Sequence, residues 1–116
     1  MDNHFKRVTE VGSLDELLAR SKEQPVVIFK HSTMCSISAG AYLEMTRYNG
    51  EVVLVEVQSA RELSAEIARR TGVVHESPQV IVLLDEKVVW NGSHSKVQAE
   101  LVAEMVRNAN HGSSER

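Results

Sequence analysis

Short apolar runs alternate with amphipathic helical segments along this chain, and that alternation limits the folds open to it. Val26-Val27-Ile28-Phe29 and Val52-Val53-Leu54-Val55-Glu56-Val57 are nearly uninterrupted apolar runs, typical of strands covered on both faces. A helix between two strands of one sheet implies a crossover connection and parallel pairing. Because 116 residues is the usual length of one domain, we expect a single α/β layer structure with helices on both faces of the sheet.

The remaining strands follow from shorter signals. Val8 to Val11 is predicted as a first strand. Gln79 to Leu84 and Lys87 to Trp90 flank Asp85-Glu86, which predicts an antiparallel hairpin near the end of the chain. The predicted order is therefore β-α-β-α-β-α-β-β-α, with a mixed, mainly parallel central sheet.

Helix starts are predicted from capping boxes, in which a serine and a Glu or Gln three residues later bond each other's backbone N–H groups. The pattern occurs at Ser13–Glu16, Ser59–Glu62 and Ser95–Gln98. Apolar residues at helical spacing predict the buried faces: Leu14, Leu17, Leu18; Ile37, Ala41, Met45; Leu63, Ile67; and Val97, Leu101, Val102, Met105, Val106, Ala109.

Helix ends are predicted from glycines and from loss of the apolar period. The second helix is expected to begin near Cys35 and to end at Asn49-Gly50, and the third to end near Gly72. The polar stretch from residue 111 is predicted as a flexible tail. The expected domain therefore covers residues 1–110, followed by residues 111–116.

Composition narrows the function. The net charge is −3 and the 13 Lys and Arg are spread along the sequence, so there is no basic footprint for nucleic acid. No apolar run approaches the ~20 residues of a membrane span, and the first residues lack a signal-peptide core. One cysteine cannot form an internal disulfide, which favours a reducing compartment. We therefore expect a cytoplasmic protein with no nucleic-acid or membrane partner.

Cys35, the only cysteine, is the candidate catalytic residue. It follows a predicted strand and opens a predicted helix, where exposed N–H groups and the helix dipole favour thiolate over thiol. A thiolate is the species that attacks disulfides. The alternative interpretation is an inert, buried cysteine, because free Cys is among the most buried residue types. The position of Cys35 between a predicted strand and a predicted helix favours the interpretation as a reactive cysteine.

Cys35 and Ser38 have the spacing of a C-x-x-C redox motif with serine in the second place. A dithiol motif resolves its own mixed disulfide, whereas a C-x-x-S motif stops there and needs an external thiol. Ser38 is one turn along and is predicted to donate a hydrogen bond to the thiolate. Ser36 and His31 are the other candidate thiolate-supporting residues, and His31 either lowers the thiol pKa or holds a neighbouring backbone group.

Ser77 and Pro78 are candidate substrate-binding residues, and Met34 is a further candidate beside a substrate groove, although a lone Met at the end of an element is more often a packing residue. The predicted element order resembles the thioredoxin fold, whose members carry a cis-proline at the position of Pro78. That resemblance implies a cis Ser77–Pro78 bond facing the cysteine, which would leave the Ser77 backbone free to pair with an extended substrate segment. On residue statistics alone, a trans proline starting a strand is the commoner case.

A metal site is not expected. The five histidines are residues 4, 31, 75, 94 and 111, and no two of them have ligand spacing. The six glycines form no phosphate-binding loop. A Cys–His hydrolase is also disfavoured, because nothing marks an orienting third residue or an oxyanion loop.

Two segments together resemble one known family. Phe29-Lys30-His31-Ser32-Thr33-Met34-Cys35-Ser36-Ile37-Ser38 is similar to the K-H-S-T-x-C-P-I-S or K-H-S-T-x-C-S-I-S stretch of the YtxJ-type monothiol bacilliredoxins, which are thioredoxin-like proteins of the bacillithiol system. His75-Glu76-Ser77-Pro78-Gln79 resembles their H-x-S-P-Q segment. The resemblance covers about residues 5 to 110. Ser36 departs from the proline that many members have.

The resemblance implies a reaction and a set of partners. Cys35 would attack a protein–bacillithiol mixed disulfide and keep bacillithiol until another low-molecular-weight thiol releases it. Thr33, Ser77 and Pro78 would frame the substrate groove. The partners would be S-thiolated client proteins and a low-molecular-weight thiol as co-substrate, either bacillithiol or a similar one. No tightly bound cofactor is expected, and the protein is expected to be a monomer or weak dimer.

Two other functions stay open at this stage. One is a thioredoxin-fold binding or adaptor module without turnover, in which Cys35 is incidental. The other is iron–sulfur binding in the manner of monothiol glutaredoxins, whose C-G-F-S motif has a similar upstream lysine. Ser36 and Ile37 stand where that motif has Gly and Phe.

Overall fold

Strands and helices alternate in the computed structural model, which describes residues 4–33 and 36–114. Within these ranges the order is β1 (Phe5–Arg7), α1 (Ser13–Arg20), β2 (Val26–His31), α2 (Ser36–Thr46), β3 (Val52–Glu56), α3 (Arg61–Thr71), β4 (Gln79–Leu84), β5 (Lys87–Ser93), a 3₁₀ turn (His94–Lys96) and α4 (Ala99–Ser114). None of the described helices is long and apolar enough to cross a bilayer.

The strands form one mixed sheet in the order β1-β3-β2-β4-β5. β3 pairs in parallel with both β1 and β2. β4 runs antiparallel to β2 as well as to β5, so the predicted hairpin is confirmed. The crossover argument did not predict the reversed direction of β4, because a helix before a strand does not fix which way that strand enters the sheet. The amino end of β4 therefore lies beside the carboxyl end of β2.

Helices cover both faces of the sheet. One core lies between the sheet and helices α2 and α4, and includes Phe29, Met45 and Val102. The other lies under α1 and α3, and includes Leu17 and Ile67. Successive strand residues point to opposite faces, so the unbroken apolar runs of β2, β3 and β4 supply both cores at once. This is the layered α/β architecture that the sequence predicts.

The first strand lies earlier than predicted. β1 is Phe5–Arg7 rather than Val8 to Val11, and beyond it only the Val8 N–H adds a bond, to the Leu54 carbonyl at 3.0 Å. Val11 is 40% exposed. The position of this strand is determined by its pairing with β3, which the short local sequence pattern does not indicate.

The three predicted capping boxes are wrong. α1 begins at Ser13 with Gly12 in the cap position, and no side chain caps it. The Ser59 hydroxyl donates to the Glu56 carbonyl at 3.4 Å, and α3 begins at Arg61 without a side-chain cap. Ser and Thr hydroxyls readily bond nearby carbonyls in turns, which competes with capping.

α4 begins at Ala99, not at the predicted Ser95 box. The Gln98 side chain donates to the Ser95 carbonyl at 2.9 Å. The Ala99 N–H instead donates to the Glu44 carboxylate of α2 at 3.0 Å. Val97 is still buried, although it lies outside the helix.

Two helix ends differ from the prediction and one agrees. α2 ends at Thr46, before the predicted Asn49-Gly50 stop. Gly72 closes α3 with a left-handed φ of 76°, as predicted. α4 continues through Ser114, so no change of secondary structure marks the predicted boundary at residue 110.

Candidate active site

The candidate site lies at the edge of the sheet where β2 ends and β4 begins. β2 ends at His31 and α2 begins at Ser36, so the segment containing the predicted nucleophile joins a central strand to a helix. Cys35 and Met34 themselves lie outside the described residues, as do the side chains of Ser36 and Ile37. Ser36 supplies the first described residue of α2, and its predicted support of the thiolate stays a prediction.

Ser32 and Thr33, here called the 32–33 loop, are tied to the end of β3 by Gln58. The Gln58 amide oxygen accepts from the Thr33 N–H at 3.2 Å, and its amide nitrogen donates to the Ser32 hydroxyl at 2.6 Å. Both contacts are exposed. Sequence reasoning missed Gln58, because nothing local indicates that a residue 25 positions from Thr33 reaches it.

Ser38 is fully buried in α2. Its hydroxyl oxygen accepts from the Ser32 N–H at 3.3 Å, which fastens the 32–33 loop to the first turns of the helix. A hydroxyl can accept and donate at the same time, so the predicted donation from Ser38 to the thiolate is compatible with this contact and stays a prediction.

His31 is buried beneath the 32–33 loop, with its ring centroid 5.0 Å from that of Tyr42 and 5.6 Å from that of Phe29. Burial lowers the pKa of His31, opposed by the Glu56 charge and by a hydrogen bond with the Ser38 backbone. The imidazole is therefore neutral at pH 7. The buried Nδ1 of His31 has no hydrogen-bond partner among the described residues, and both predicted roles of this side chain stay predictions.

A shallow groove of about 490 Å³ borders the 32–33 loop. Its lining combines Thr33 and His31 with the outer surface of α2 at Tyr42 and Leu43, and with Glu56 at the end of β3. Leu43 is 67% exposed. The groove therefore offers apolar surface directly beside the predicted nucleophile segment.

Residues 73–78, here called the 73–78 loop, reach the same sheet edge from α3. The Ser77–Pro78 peptide bond is cis, as the fold resemblance implied, and the Pro78 carbonyl accepts from the His94 N–H at 3.0 Å. The Ser77 hydroxyl is buried with no hydrogen-bond partner among the described residues. Glu76 accepts from the Ser93 hydroxyl. Because Gln79 pairs with Lys30, Ser77 and Pro78 lie next to the strand end that leads into the 32–33 loop.

Lys30 is the most unusual side chain near this edge, since it is fully buried in β2. Its ammonium group donates to the Ser64 carbonyl at 3.1 Å and lies 3.3 Å from Nδ1 of His75. Burial lowers the pKa of Lys30 from 10.5 to about 8. The resemblance included this lysine in its motif, but the sequence did not show where the side chain points.

His75 is exposed and lies between Lys30 and Ser64, whose hydroxyl oxygen is 3.2 Å from His75 Nδ1. Partial burial, followed by the Lys30 charge, lowers the pKa of His75, opposed by Glu76. An ammonium group can only donate, so Nδ1 accepts and the ring proton sits on Nε2.

The described ranges contain no group of three or more His, Cys, Asp or Glu side chains that could hold an ion. Among the described residues, the distinctive chemistry of this sheet edge is the buried Lys30 amine that fastens the 73–78 loop.

Comparison with known proteins agrees with this geometry. A family model described as "Monothiol bacilliredoxin BrxC" matches residues 6–102. A solved candidate oxidoreductase with a thioredoxin fold is 27% identical, with a TM-score of 0.80 over 89% of this chain and 94% of that one. Fasciola hepatica thioredoxin is 15% identical, with a TM-score of 0.68 over 89% and 97%. Schistosoma mansoni thioredoxin is 22% identical, with a TM-score of 0.66 over 90% and 94%.

Proposed function

Because this chain belongs to the monothiol bacilliredoxin family and has the thioredoxin fold, we propose that Cys35 removes bacillithiol, or a similar low-molecular-weight thiol, from protein mixed disulfides. The observation that carries the proposal is the family match over residues 6–102, which spans both the nucleophile segment and the cis-proline loop. Family and fold support a thiol oxidoreductase-like role. That the removed thiol is bacillithiol is part of the proposal.

The first step is a thiol–disulfide exchange. The Cys35 thiolate attacks the bacillithiol sulfur of the client's mixed disulfide, and the client sulfur leaves as a thiolate that takes a proton from water. One S–S bond breaks and one forms, so the oxidation level is carried from the client to Cys35. The helix start at Ser36 supports this step, because helix N-termini favour thiolates.

The second step needs an external thiol. Ser38 occupies the place of a resolving cysteine, so the Cys35–bacillithiol disulfide cannot close onto the chain. A low-molecular-weight thiol attacks it, restores Cys35 and leaves as a disulfide with bacillithiol. A reducing compartment such as the cytoplasm would supply that thiol.

Client binding involves the two loops that flank the nucleophile segment. Thr33 and Met34 on one side, and Ser77 and Pro78 on the other, are the proposed contacts. The groove beside Thr33 offers apolar surface for a client side chain, while the Ser77 backbone pairs with an extended client segment.

The proposal is tested by intact-mass spectrometry. The protein and a Cys35→Ser variant are each incubated with a bacillithiol-modified peptide and, in parallel, with the glutathione-modified peptide. We expect an adduct of bacillithiol mass on the wild-type protein alone, with the peptide released in equal amount. An adduct from the glutathione-modified peptide but not from the bacillithiol-modified one would show that glutathione, not bacillithiol, is the thiol that Cys35 removes. No adduct from either, while Cys35 is still alkylated by iodoacetamide, would overturn it in favour of a binding module without turnover.

The iron–sulfur alternative is weaker in this geometry. Part of its support was a lysine similar to that of the glutaredoxin motif, but Lys30 is fully buried and donates to the Ser64 carbonyl, so its ammonium group is not exposed to bind a cluster or a thiol cofactor. A colourless protein after anaerobic reconstitution with iron and sulfide is the expected result.

A further inference from the structure

Two buried polar side chains stand side by side in a face of the sheet whose other buried strand residues are apolar. Lys30 of β2 and Gln79 of β4 are paired in register, and they are 0% and 2% exposed. The next residues along the same face are Ile28 and Ile81, both in the core under α1 and α3. The Lys30–Gln79 pair therefore interrupts that core at the edge of the sheet nearest the candidate site.

Both side chains of the pair reach the 73–78 loop. Gln79 donates through its amide nitrogen to the Val74 carbonyl at 3.0 Å, and the Lys30 ammonium lies 3.3 Å from His75 Nδ1. These are consecutive residues of the loop. They are held from the sheet while the Val74 side chain is 79% exposed, so core packing does not fix this part of the loop.

This arrangement is costly for stability. A buried ammonium group is destabilising unless it is paired, and no carboxylate of the described residues forms an ion pair with Lys30. The Gln79 amide oxygen is also buried without a partner in those ranges. Apolar residues at both positions would extend the core under α3. Polar groups that persist at such a cost are typical of functional regions.

We propose that Lys30 and Gln79 are positioning residues for client binding, because together they hold residues 74 and 75 and so set where the loop presents the Ser77 backbone to an extended peptide segment bearing the mixed disulfide. This inference rests on the proposed function and extends it. It assigns the client's main chain, rather than the low-molecular-weight thiol, to the 73–78 loop.

The contact has a defined dependence on protonation. The charged groups around His75 are Lys30 and Glu76. When His75 takes up a proton, Nδ1 can no longer accept from Lys30, and two cations then stand 3.3 Å apart. The contact between Lys30 and His75 is therefore lost when the pH falls below the pKa of His75. When the pH rises above the pKa of Lys30, the neutral amine can still donate, so the contact is kept.

Four variants and one control test the proposal. Lys30→Met and Gln79→Leu remove the donors while keeping apolar bulk, and His75→Phe removes the acceptor from the exposed end if a core variant fails to fold. His75→Asn places an amide oxygen near the position of Nδ1, so its KM should lie between those of the wild-type protein and His75→Phe. Lys22→Met makes the same chemical change at a side chain that is 58% exposed.

The kinetic readout is transfer from a bacillithiol-modified peptide at several peptide concentrations. We expect KM to rise about tenfold in Lys30→Met, Gln79→Leu and His75→Phe, the size of effect that follows from losing a buried hydrogen bond. We expect kcat at saturation to change less than twofold, Lys22→Met to match the wild-type protein, and the acid-side rise of KM to disappear in His75→Phe.

The structural readout needs no client and no turnover. By NMR, the pKa of His75 should rise in Lys30→Met, because the Lys30 charge lowers it in the wild-type protein. Amide hydrogen exchange at residues 74–77 should become about tenfold faster in the two sheet variants. Folded variants that leave both KM and exchange unchanged would overturn the inference. A rise in KM without faster exchange, or faster exchange without a rise in KM, would also overturn it.

Failure of the proposed function gives a different result. If the wild-type protein transfers neither bacillithiol nor glutathione, the proposed function is wrong. Binding of the unmodified peptide to the wild-type and Lys30→Met proteins then decides the inference, together with the exchange rates. A tenfold weaker binding with faster exchange supports it, and equal binding overturns it.

Discussion

The 32–33 loop and the 73–78 loop differ in how far their side-chain contacts are exposed. Gln58 ties the 32–33 loop through hydrogen bonds that are exposed to water, beside the contact from the Ser32 N–H to the buried Ser38 hydroxyl. The 73–78 loop is tied by Lys30 and Gln79, whose side chains are almost entirely buried. Exposed hydrogen bonds exchange readily with water and contribute little net stability, whereas a buried donor or acceptor that loses its partner is costly.

Under the proposed function, this difference predicts that the two loops behave differently. The 73–78 loop would present a fixed backbone edge to a client. The contacts of Gln58 with the 32–33 loop would exchange with water at small cost when a client or a low-molecular-weight thiol occupies the groove beside Thr33. The predictions that follow test the contrast, beginning with the largest effect.

The buried amine should make stability depend on alkaline pH. The pKa of Lys30 is lowered from 10.5 to about 8 in the folded protein, so between these values the unfolded chain binds the proton and the folded one does not. Stability should therefore rise with pH in this window, by up to about 3 kcal/mol. Below pH 8 both states are protonated and the full cost of the buried charge is present.

Urea titrations of the wild-type and Lys30→Met proteins at pH 7, 8.5 and 10.5 measure this effect. The unfolding free energy of the wild-type protein should rise with pH relative to that of Lys30→Met. The Lys22→Met variant keeps Lys30, so its unfolding free energy should rise with pH as that of the wild-type protein does. A difference that stays constant from pH 7 to 10.5 would contradict the lowered pKa.

Gln79→Ala should lower the unfolding free energy by about 2 kcal/mol, because it removes a partly buried hydrogen bond to Val74 and leaves a cavity beside Lys30. Denaturant unfolding monitored by circular dichroism provides the measurement. A loss below about 0.5 kcal/mol would show that Gln79 contributes no more than an exposed residue, and the contrast between the loops would fail.

Ser77→Ala tests the same loop in the opposite direction. The Ser77 hydroxyl is buried without a partner among the described residues, so removing it should leave stability unchanged or raise it by up to about 1 kcal/mol. The thermal midpoint should rise or stay constant. A clear fall in the midpoint would reveal that this hydroxyl is bonded in the native protein.

Gln58→Ala should have the smallest effect, below about 0.5 kcal/mol, because its contacts to Ser32 and Thr33 are exposed. Measured beside Gln79→Ala under the same conditions, the Gln58→Ala variant compares the stability contributed by an exposed glutamine with that contributed by a buried one. Equal losses in the two variants would show that burial does not distinguish the loops.

The layered architecture could be predicted from the sequence because the signals of most elements are dense and local. The apolar runs of β2 and β4, and the Leu63–Ile67 spacing of α3, depend only on neighbouring residues, and all three elements are confirmed. The capping boxes failed for the opposite reason. A hydroxyl such as that of Ser59 has several carbonyls and N–H groups within reach, and the folded geometry selects among them.

The site was predicted only in part, for a related reason. Strand-to-helix position and motif spacing marked Cys35, and the fold resemblance marked Ser77 and Pro78. Lys30 and Gln79 lie 49 positions apart, and only the antiparallel register of β2 and β4 places them side by side. No local pattern contains that register, so their joint action on the 73–78 loop could be found only in the folded structure.

The start of α4 has a consequence for how the chain acquires its structure. The Ala99 N–H is capped by the Glu44 carboxylate from 55 residues earlier, so the first turn of this helix is completed by a contact that does not exist until α2 has docked. Contacts of long sequence separation form late, since a large loop must close first. We therefore expect the amino end of α4 to order in the last stage of folding, and a polypeptide still emerging from the ribosome to have α2 in place before its final helix has a fixed beginning.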